Sequence, residues 1–296
     1  MRRKGRIMPF TKMQGAGNDF VLLDGITNDL SGIDFPAVSK ELLDRRFGIG
    51  GDQLLVLLPA GEKSKNKNKK RFRMRIWNAD GGEVQMCGNG IRCLARYIWD
   101  RGMAAEEERL DVETQAGLIV PESGGGGLVR VDMGIPGLEG RDMPFRPGGK
   151  IVDGKIIDYP LEAGGALFRL TCVSMGNPHA AIFVEDVSRF PVGRYGPLIE
   201  TDPIFPERTN VEFIEVTGPG EIRMRVWERG SGETLACGTG ASAAVVASSL
   251  KGLTSRSVKV VLPGGALHVE WASDGHVYMS GPAEEVFEGR ISLPLH

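Results

Sequence analysis

The stretch "RMRIWNADGGEVQMCGNG", Arg73 to Gly90, returns as "RMRVWERGSGETLACGTG", Arg223 to Gly240, and both copies keep a cysteine directly before Gly-x-Gly. Cys87 and Cys237 are the residues whose repetition points to chemistry. Each precedes a run with helical character, and a thiol at a helix start meets backbone N–H groups and the positive end of the helix dipole. That setting favours the thiolate, the nucleophilic and basic form. Gly88 with Asn89, and Gly238 with Thr239, leave the amides open enough to hold a carboxylate. Two equivalent thiols suit inversion at carbon, one thiolate removing a proton from one face while the other thiol returns one to the opposite face. Amides aimed at a carboxylate would stabilise the carbanionic charge, so no cofactor is required. Pyridoxal phosphate would need a lysine placed to form an imine, and the only dense lysines lie in "EKSKNKNKKR", Glu62 to Arg71, which reads as a solvated loop. Without a Cys-x-x-Cys pair or clustered Cys and His, no metal site is expected.

The elements that must position these thiols follow from the repeat. "MQGAGNDFVLLD" pairs with "VSMGNPHAAIFVED", "GGDQLLVLL" with "TNVEFIEV", and "AGLIVPESGGGGLVRVDMG" with "GGALHVEWASDGHVYMSGP", in one order. "RMRIW" and "RMRVW" alternate basic and apolar residues as half-buried strands do. "GNGIRCLARYIWDRG" places Ile91, Leu94, Ala95 and Ile98 at helical spacing and closes on Gly102. Its twin "GTGASAAVVASSLKG" is small and apolar nearly all round, as a helix enclosed by sheet must be. The expected fold is α+β: two pseudo-symmetric homologous domains, each mostly antiparallel strands wrapped round a central helix, with the active site in the cleft between them. Domain limits of 1–136 and 137–284 follow, with a C-terminal strand at about 285–296 packing back on the first domain.

A chain of 296 residues has length for two such domains. With 25% charged residues and no apolar run near the roughly 18 residues that span a bilayer, a membrane role is not expected. The net charge of -2 supplies no field for recruiting nucleic acid. Four cysteines in a chain this long fit a reducing compartment, and "MRRKGRIM" lacks the apolar stretch of a signal peptide, so the cytoplasm is the expected location.

"GAGNDF", "NADGGEVQMCGNGIRC", "MGNPHA", "RTNVEF" and "ERGSGETLACGTGA" together resemble the diaminopimelate epimerase family, in the family's order and over nearly the whole chain. The resemblance implies a cofactor-independent isomerase that interconverts LL- and meso-diaminopimelate in lysine and peptidoglycan precursor biosynthesis. It implies catalytic roles for Cys87 and Cys237, and substrate contacts at Asn18, Gln53, Asn78, Gly88, Asn89, Asn177, Asn210, Glu228, Arg229, Gly238 and Thr239. His179 and Glu228 are the positions that would tune the thiols. The implied partner is a small amino-acid substrate, and a homodimer is compatible with the reading. Trp77 stands where a smaller aromatic is usual, Ser231 replaces a small apolar residue, and the lysine-rich run is an insertion.

Each of these residues also has a plain structural role open to it. Asparagine beside glycine is commonly a turn residue, and a lone cysteine is commonly a buried apolar one. Cys93 and Cys172 keep that reading, and His268, His276 and His296 carry no motif. Asn78 aligns with Glu228 and Asn89 with Thr239, so the copies differ where a substrate asymmetric about its reacting carbon has to be read. Arg229 suits a remote carboxylate, which its planar fork pairs with bidentately. The alternatives are a proline or hydroxyproline racemase-like enzyme, a thiol redox or peptidase enzyme, and a non-catalytic thiol-containing binding module.

Overall fold

The computed structural model describes residues 5–61, 70–146 and 154–294; Glu62 to Lys69 of the lysine-rich run lie outside them. The chain forms two compact units, Met1–Val131 with Gly281–His296, and Asp132–Ser280. The architecture is two-domain α+β, rich in strands.

The first unit contains β1 (Gly5–Gly15), β2 (Asn18–Asp24), α1 (Phe35–Leu42), β3 (Gln53–Pro59), β4 (Lys70–Asn78), β5 (Glu83–Val84), α2 (Gly88–Asp100), β6 (Leu110–Thr114), β7 (Gly117–Ile119), β8 (Glu122–Ser123) and β9 (Leu128–Asp132). The second contains β10 (Tyr159–Ala163), β11 (Ala166–Ser174), β12 (Pro178–Phe183), α3 (Val192–Glu200), β13 (Asn210–Gly218), β14 (Glu221–Glu228), β15 (Gly232–Thr234), α4 (Gly238–Leu250), β16 (Ser257–Leu262), β17 (Gly265–Trp271) and β18 (Val277–Pro282). The last strand, β19 (Glu284–Pro294), pairs antiparallel with β1 in the first unit.

The strand order β1-β2-β3-β4-β6-β7 in one sheet repeats as β11-β12-β13-β14-β16-β17 in the other. The directions repeat too. β2 with β3 and β4 with β6 are parallel, as are β12 with β13 and β14 with β16, while the remaining steps of this path are antiparallel. The arms β5 and β15 hang from β4 and β14. The duplication visible in the sequence is therefore a duplication of topology.

Alternation decides the faces of these strands. In β4 Phe72, Met74 and Ile76 are buried and Arg71, Arg73 and Arg75 point toward solvent, and β14 buries Ile222, Met224 and Val226 in the same way. The outward arginines reach acidic neighbours, Arg75 to Glu83 at 2.7 Å and Arg225 to Glu233 at 2.7 Å. Trp77 is fully buried, stacked on Phe35 of α1 with centroids 4.7 Å apart, which is how the first unit takes a large aromatic there.

The central helices lie against several strands of their own sheet, α2 on β1, β2, β3 and β19, and α4 on β11, β12, β13, β16 and β17. The small side chains of α4 allow approach from all sides. Its buried hydroxyls bond within the helix, Ser242 Oγ to Gly238 O at 2.9 Å and Ser248 Oγ to Ala244 O. Both helices end at a left-handed glycine, Gly102 at φ 63° and Gly252 at φ 67°. Met103 N returns to Ile98 O and Leu253 N to Ser248 O, which satisfies the final carbonyls. Two further helices carry weaker sequence signals. α1 is started by Asp34, whose carboxylate accepts from Ala37 N, and α3 starts at Pro191 without a side-chain cap.

Candidate active site

In the first unit three polar side chains stand at one end of neighbouring strands because the register puts them there. Asn18 opens β2 after a turn that requires the positive φ of Gly17, 81°. Gln53 opens β3 opposite Asn78, the last residue of β4, and Gln53 Nε2 donates to Asn78 Oδ1 at 2.9 Å. Cys87 is the N-cap of α2, and its Sγ accepts from Gly90 N at 3.4 Å. Asn89 Nδ2 donates to Asn18 Oδ1 at 3.3 Å, and Cys87 Sγ lies 3.8 Å from that oxygen. Asn18, Cys87 and Asn89 thus form one cluster, with Gln53 and Asn78 beside it in the sheet register.

Asp52 is a member that the motifs did not single out. Its carboxylate accepts from Asn18 Nδ2 at 2.7 Å and pairs with Arg45 at 2.7 Å. Arg45 also reaches Asp19, which Lys12 approaches at 2.7 Å. Burial works to raise the Asp19 carboxyl, and hydrogen bonds from Arg45 and Lys12 overcome it and hold the group well below its ordinary value.

The second unit repeats the frame with different contents. Gly176, at φ 85°, turns the chain into Asn177. Asn210 opens β13; its Oδ1 accepts from Arg229 N at 2.9 Å and its Nδ2 donates to Pro178 O at 2.9 Å. Glu228 ends β14 and accepts from Thr234 Oγ1. The Arg229 side chain is exposed and donates to Glu207 O at 3.2 Å. Cys237 is the N-cap of α4, its Sγ 3.4 Å from Gly240 N and 3.5 Å from Thr239 Oγ1. Gly88 and Gly238 are the first residues of their helices.

The surroundings of Cys237 correct one expectation. A helix start lowers a thiol, yet burial, followed by the nearby Glu228 and Glu212 carboxylates, pushes Cys237 well above its ordinary value. Desolvation outweighs the helix end here because almost no water reaches the sulfur. Cys87, by contrast, is half-buried. Cys93 is wholly buried and pushed up to about 12, and burial raises Cys172 as well, which fits apolar packing roles.

His179 is fully buried, with Nδ1 2.7 Å from Glu212 Oε1 and Nε2 3.0 Å from Asn177 Oδ1. Glu212 also escaped the motif reading. Its signal was a carboxylate inside "TNVEFIEV", a strand whose first five residues are all buried. Among the described residues no group of His, Cys, Asp and Glu is arranged to hold a metal ion, and no helix is long and apolar enough to cross a membrane.

The diaminopimelate epimerase family model matches residues 10–138 and 171–286. The chain is 52% identical to the diaminopimelate epimerase of Pelotomaculum thermopropionicum over 286 residues, covering 95% of this chain and 98% of the relative. It is also 52% identical to that of Moorella thermoacetica over 291 residues, covering 97% of this chain and 100% of the relative. A hydroxyproline epimerase structure from Agrobacterium vitis, with trans-4-hydroxy-L-proline bound, shares the fold with a TM-score of 0.66 at 16% identity, covering 99% of this chain and 94% of that one. Half of all residues are thus shared with diaminopimelate epimerases from end to end, on a frame that holds a Cys-Gly-x-Gly helix start in each unit, and the chain belongs to the diaminopimelate epimerase family of isomerases.

Proposed function

We propose that the chain interconverts LL- and meso-diaminopimelate, an intermediate of lysine and peptidoglycan precursor synthesis, by a two-base mechanism in which Cys87 and Cys237 act on opposite faces of one α-carbon. The observation that carries this reading is the pair of N-cap thiols, each 3.4 Å from the amide three residues on, in units of one topology. Cys237, raised well above its ordinary value by burial and the neighbouring carboxylates, starts as the thiol acid, and Cys87 is the base that works opposite it. Arg92, buried one turn into α2 with its guanidinium on Gly88 O at 3.3 Å, supplies a cation near Cys87, whereas Glu228 and Glu212 supply negative charge near Cys237. The Cys87 sulfur takes the α-hydrogen as a proton, the electron pair passes into the carboxylate, and the Cys237 S–H returns a proton to the other face. Roles reverse for the reverse reaction. Backbone N–H groups at the two helix starts hold the carboxylate as its charge grows. Asn18, Gln53, Asn78, Asn89, Asn177, Asn210, Glu228, Arg229 and Thr239 read the rest of the substrate, and no cofactor takes part.

The test is turnover of LL-diaminopimelate in D2O. Epimerisation with one solvent deuterium on the inverted carbon of the meso product supports the reading. Absence of turnover, or inversion without solvent label, overturns it, and turnover of hydroxyproline instead moves the chain to the racemase-like alternative.

A further inference from the structure

Sheet register makes the surroundings of the two helix starts comparable residue by residue. In the first unit Phe20 pairs with Gln53 and Leu22 with Leu55; in the second His179 pairs with Asn210 and Ala181 with Glu212. Phe20 and Leu55 are therefore the counterparts of His179 and Glu212. Leu55 and Glu212 fill the same close space beneath a helix-start glycine. A Cβ on Gly90 would lie 3.0 Å from Leu55 Cδ2 and 3.5 Å from Phe20 Cε1, and one on Gly240 would lie 2.9 Å from Glu212 Oε1. Packing alone is satisfied by an apolar pair, as the first unit demonstrates. A fully buried carboxylate costs several kcal/mol unless it is paired, and Glu212 has Oε2 without a hydrogen-bond partner among the described residues.

What the second pair adds is a fixed direction. His179 faces an oxygen at each ring nitrogen, Glu212 Oε1 at Nδ1 and Asn177 Oδ1 at Nε2, so one buried ring bridges the Glu212 carboxyl and the Asn177 amide. The Asn177 amide is thereby held by its oxygen, and no described residue accepts from its Nδ2. Its counterpart Asn18 is held the opposite way, with Nδ2 spent on Asp52 and Oδ1 turned to Asn89 Nδ2 and Cys87 Sγ. The paired asparagines thus present opposite polarity, a carbonyl oxygen in one unit and an amide N–H in the other.

We infer that Glu212 is a positioning residue for the epimerisation: through His179 it fixes the Asn177 amide so that Nδ2 is presented as a donor to a substrate oxygen. The inference rests on the reading that Asn177 contacts the substrate. In Glu212→Leu, which places there the residue type of its counterpart Leu55, Nδ1 loses the oxygen that holds it and the ring is released from its fixed orientation. Nε2 then no longer holds the Asn177 oxygen, and the amide presents its donor to the substrate without a fixed direction.

The decisive experiment is a double-mutant cycle on the full chain with LL-diaminopimelate, comparing wild type, Glu212→Leu, Asn177→Ala and the double variant. Loss of one hydrogen bond to a charged group predicts a roughly ten- to hundredfold rise in KM for Glu212→Leu. Combined with Asn177→Ala, the same change adds less than about twofold, because the residue it acts through is gone. Additive losses in an active enzyme overturn the inference and leave the proposed function standing; an inactive wild type takes both. As a second arm, His179→Phe with Glu212→Leu copies the first unit's apolar pair. Its expected result is a wild-type circular dichroism spectrum with the same rise in KM, and wild-type KM in that folded variant sinks the inference.

Discussion

Cys87 and Cys237 cap their helices with nearly the same backbone, φ −141° and ψ 116° for Cys87 and φ −133° and ψ 115° for Cys237. What separates them is charge. Five residues into each helix stand Arg92 and Ser242, and the carboxylates of Glu228 and Glu212 act on Cys237. Symmetric backbones with asymmetric neighbours suit a reaction in which two like groups serve as acid and base in turn.

Replacing either capping thiol should therefore remove epimerisation. General acid or base catalysis is worth about 10²–10⁴-fold, so Cys87→Ala and Cys237→Ala are each expected to lose at least that factor in kcat. Cys93→Ala and Cys172→Ala, which alter buried packing, should keep most activity. A racemisation assay followed by chiral chromatography checks all four, and appreciable turnover by either capping variant removes the two-base assignment.

The unlike environments also predict selective alkylation. With iodoacetamide near pH 7 and no substrate, Cys87 should be modified first, since it is half-buried while Cys237 is buried and held in its protonated form. Peptide mass mapping at partial inactivation reads the order. Modification of Cys237 ahead of Cys87 would mean that burial does not shield Cys237 as described.

Cys93 gives a stability prediction with a definite sign. Its thiol is pushed from an ordinary value near 9 up to about 12 by burial, so the folded chain keeps a proton that the unfolded chain releases. Stability falls wherever the folded state binds more protons as pH rises, which places the loss between about pH 9 and 12. Cys93→Ala should flatten the decline of Tm across that window relative to wild type. Parallel curves would mean that the site is not desolvated as described.

Asp52 separates positioning from stability. It is 43% exposed, and exposed ion pairs contribute about 0–1 kcal/mol, so Asp52→Ala should leave Tm within about two degrees. It should raise KM roughly tenfold, because Asn18 loses the partner that fixes its amide. Equal Tm with unchanged KM would show that Asn18 does not depend on Asp52.

The duplicated core of the fold was legible because both copies keep the same alternation in β4 and β14 and the same glycine after each helix. α1 and α3 were harder to see. Each is short, and α3 begins without a capping side chain and carries Pro197 in its interior. Within the site, the thiols and asparagines could be read from motifs next to them in sequence. Asp52 and Glu212 could not, because their importance lies in contacts across strands, from Asp52 to Asn18 and from Glu212 to His179. The environment of Cys237 was misjudged for a related reason: the helix start is written locally, while the burial that overrides it comes from the whole unit.

Arg229 offers the test of substrate reading that is least entangled with folding. Its guanidinium is exposed and donates only to Glu207 O among the described residues, while its backbone N–H, which any residue would keep, anchors Asn210 Oδ1. Arg229→Lys should therefore melt as wild type does. A lysine ammonium is a point charge and cannot reproduce the planar fork that pairs with a carboxylate through two hydrogen bonds. Charge-assisted hydrogen bonds are worth about 1.5–3 kcal/mol each, so losing one of two predicts a fall in kcat/KM of roughly ten- to hundredfold. Steady-state kinetics on LL-diaminopimelate decides it. A variant as efficient as wild type would take Arg229 out of the substrate site, and a lowered Tm would mean that the side chain supports the turn rather than the ligand.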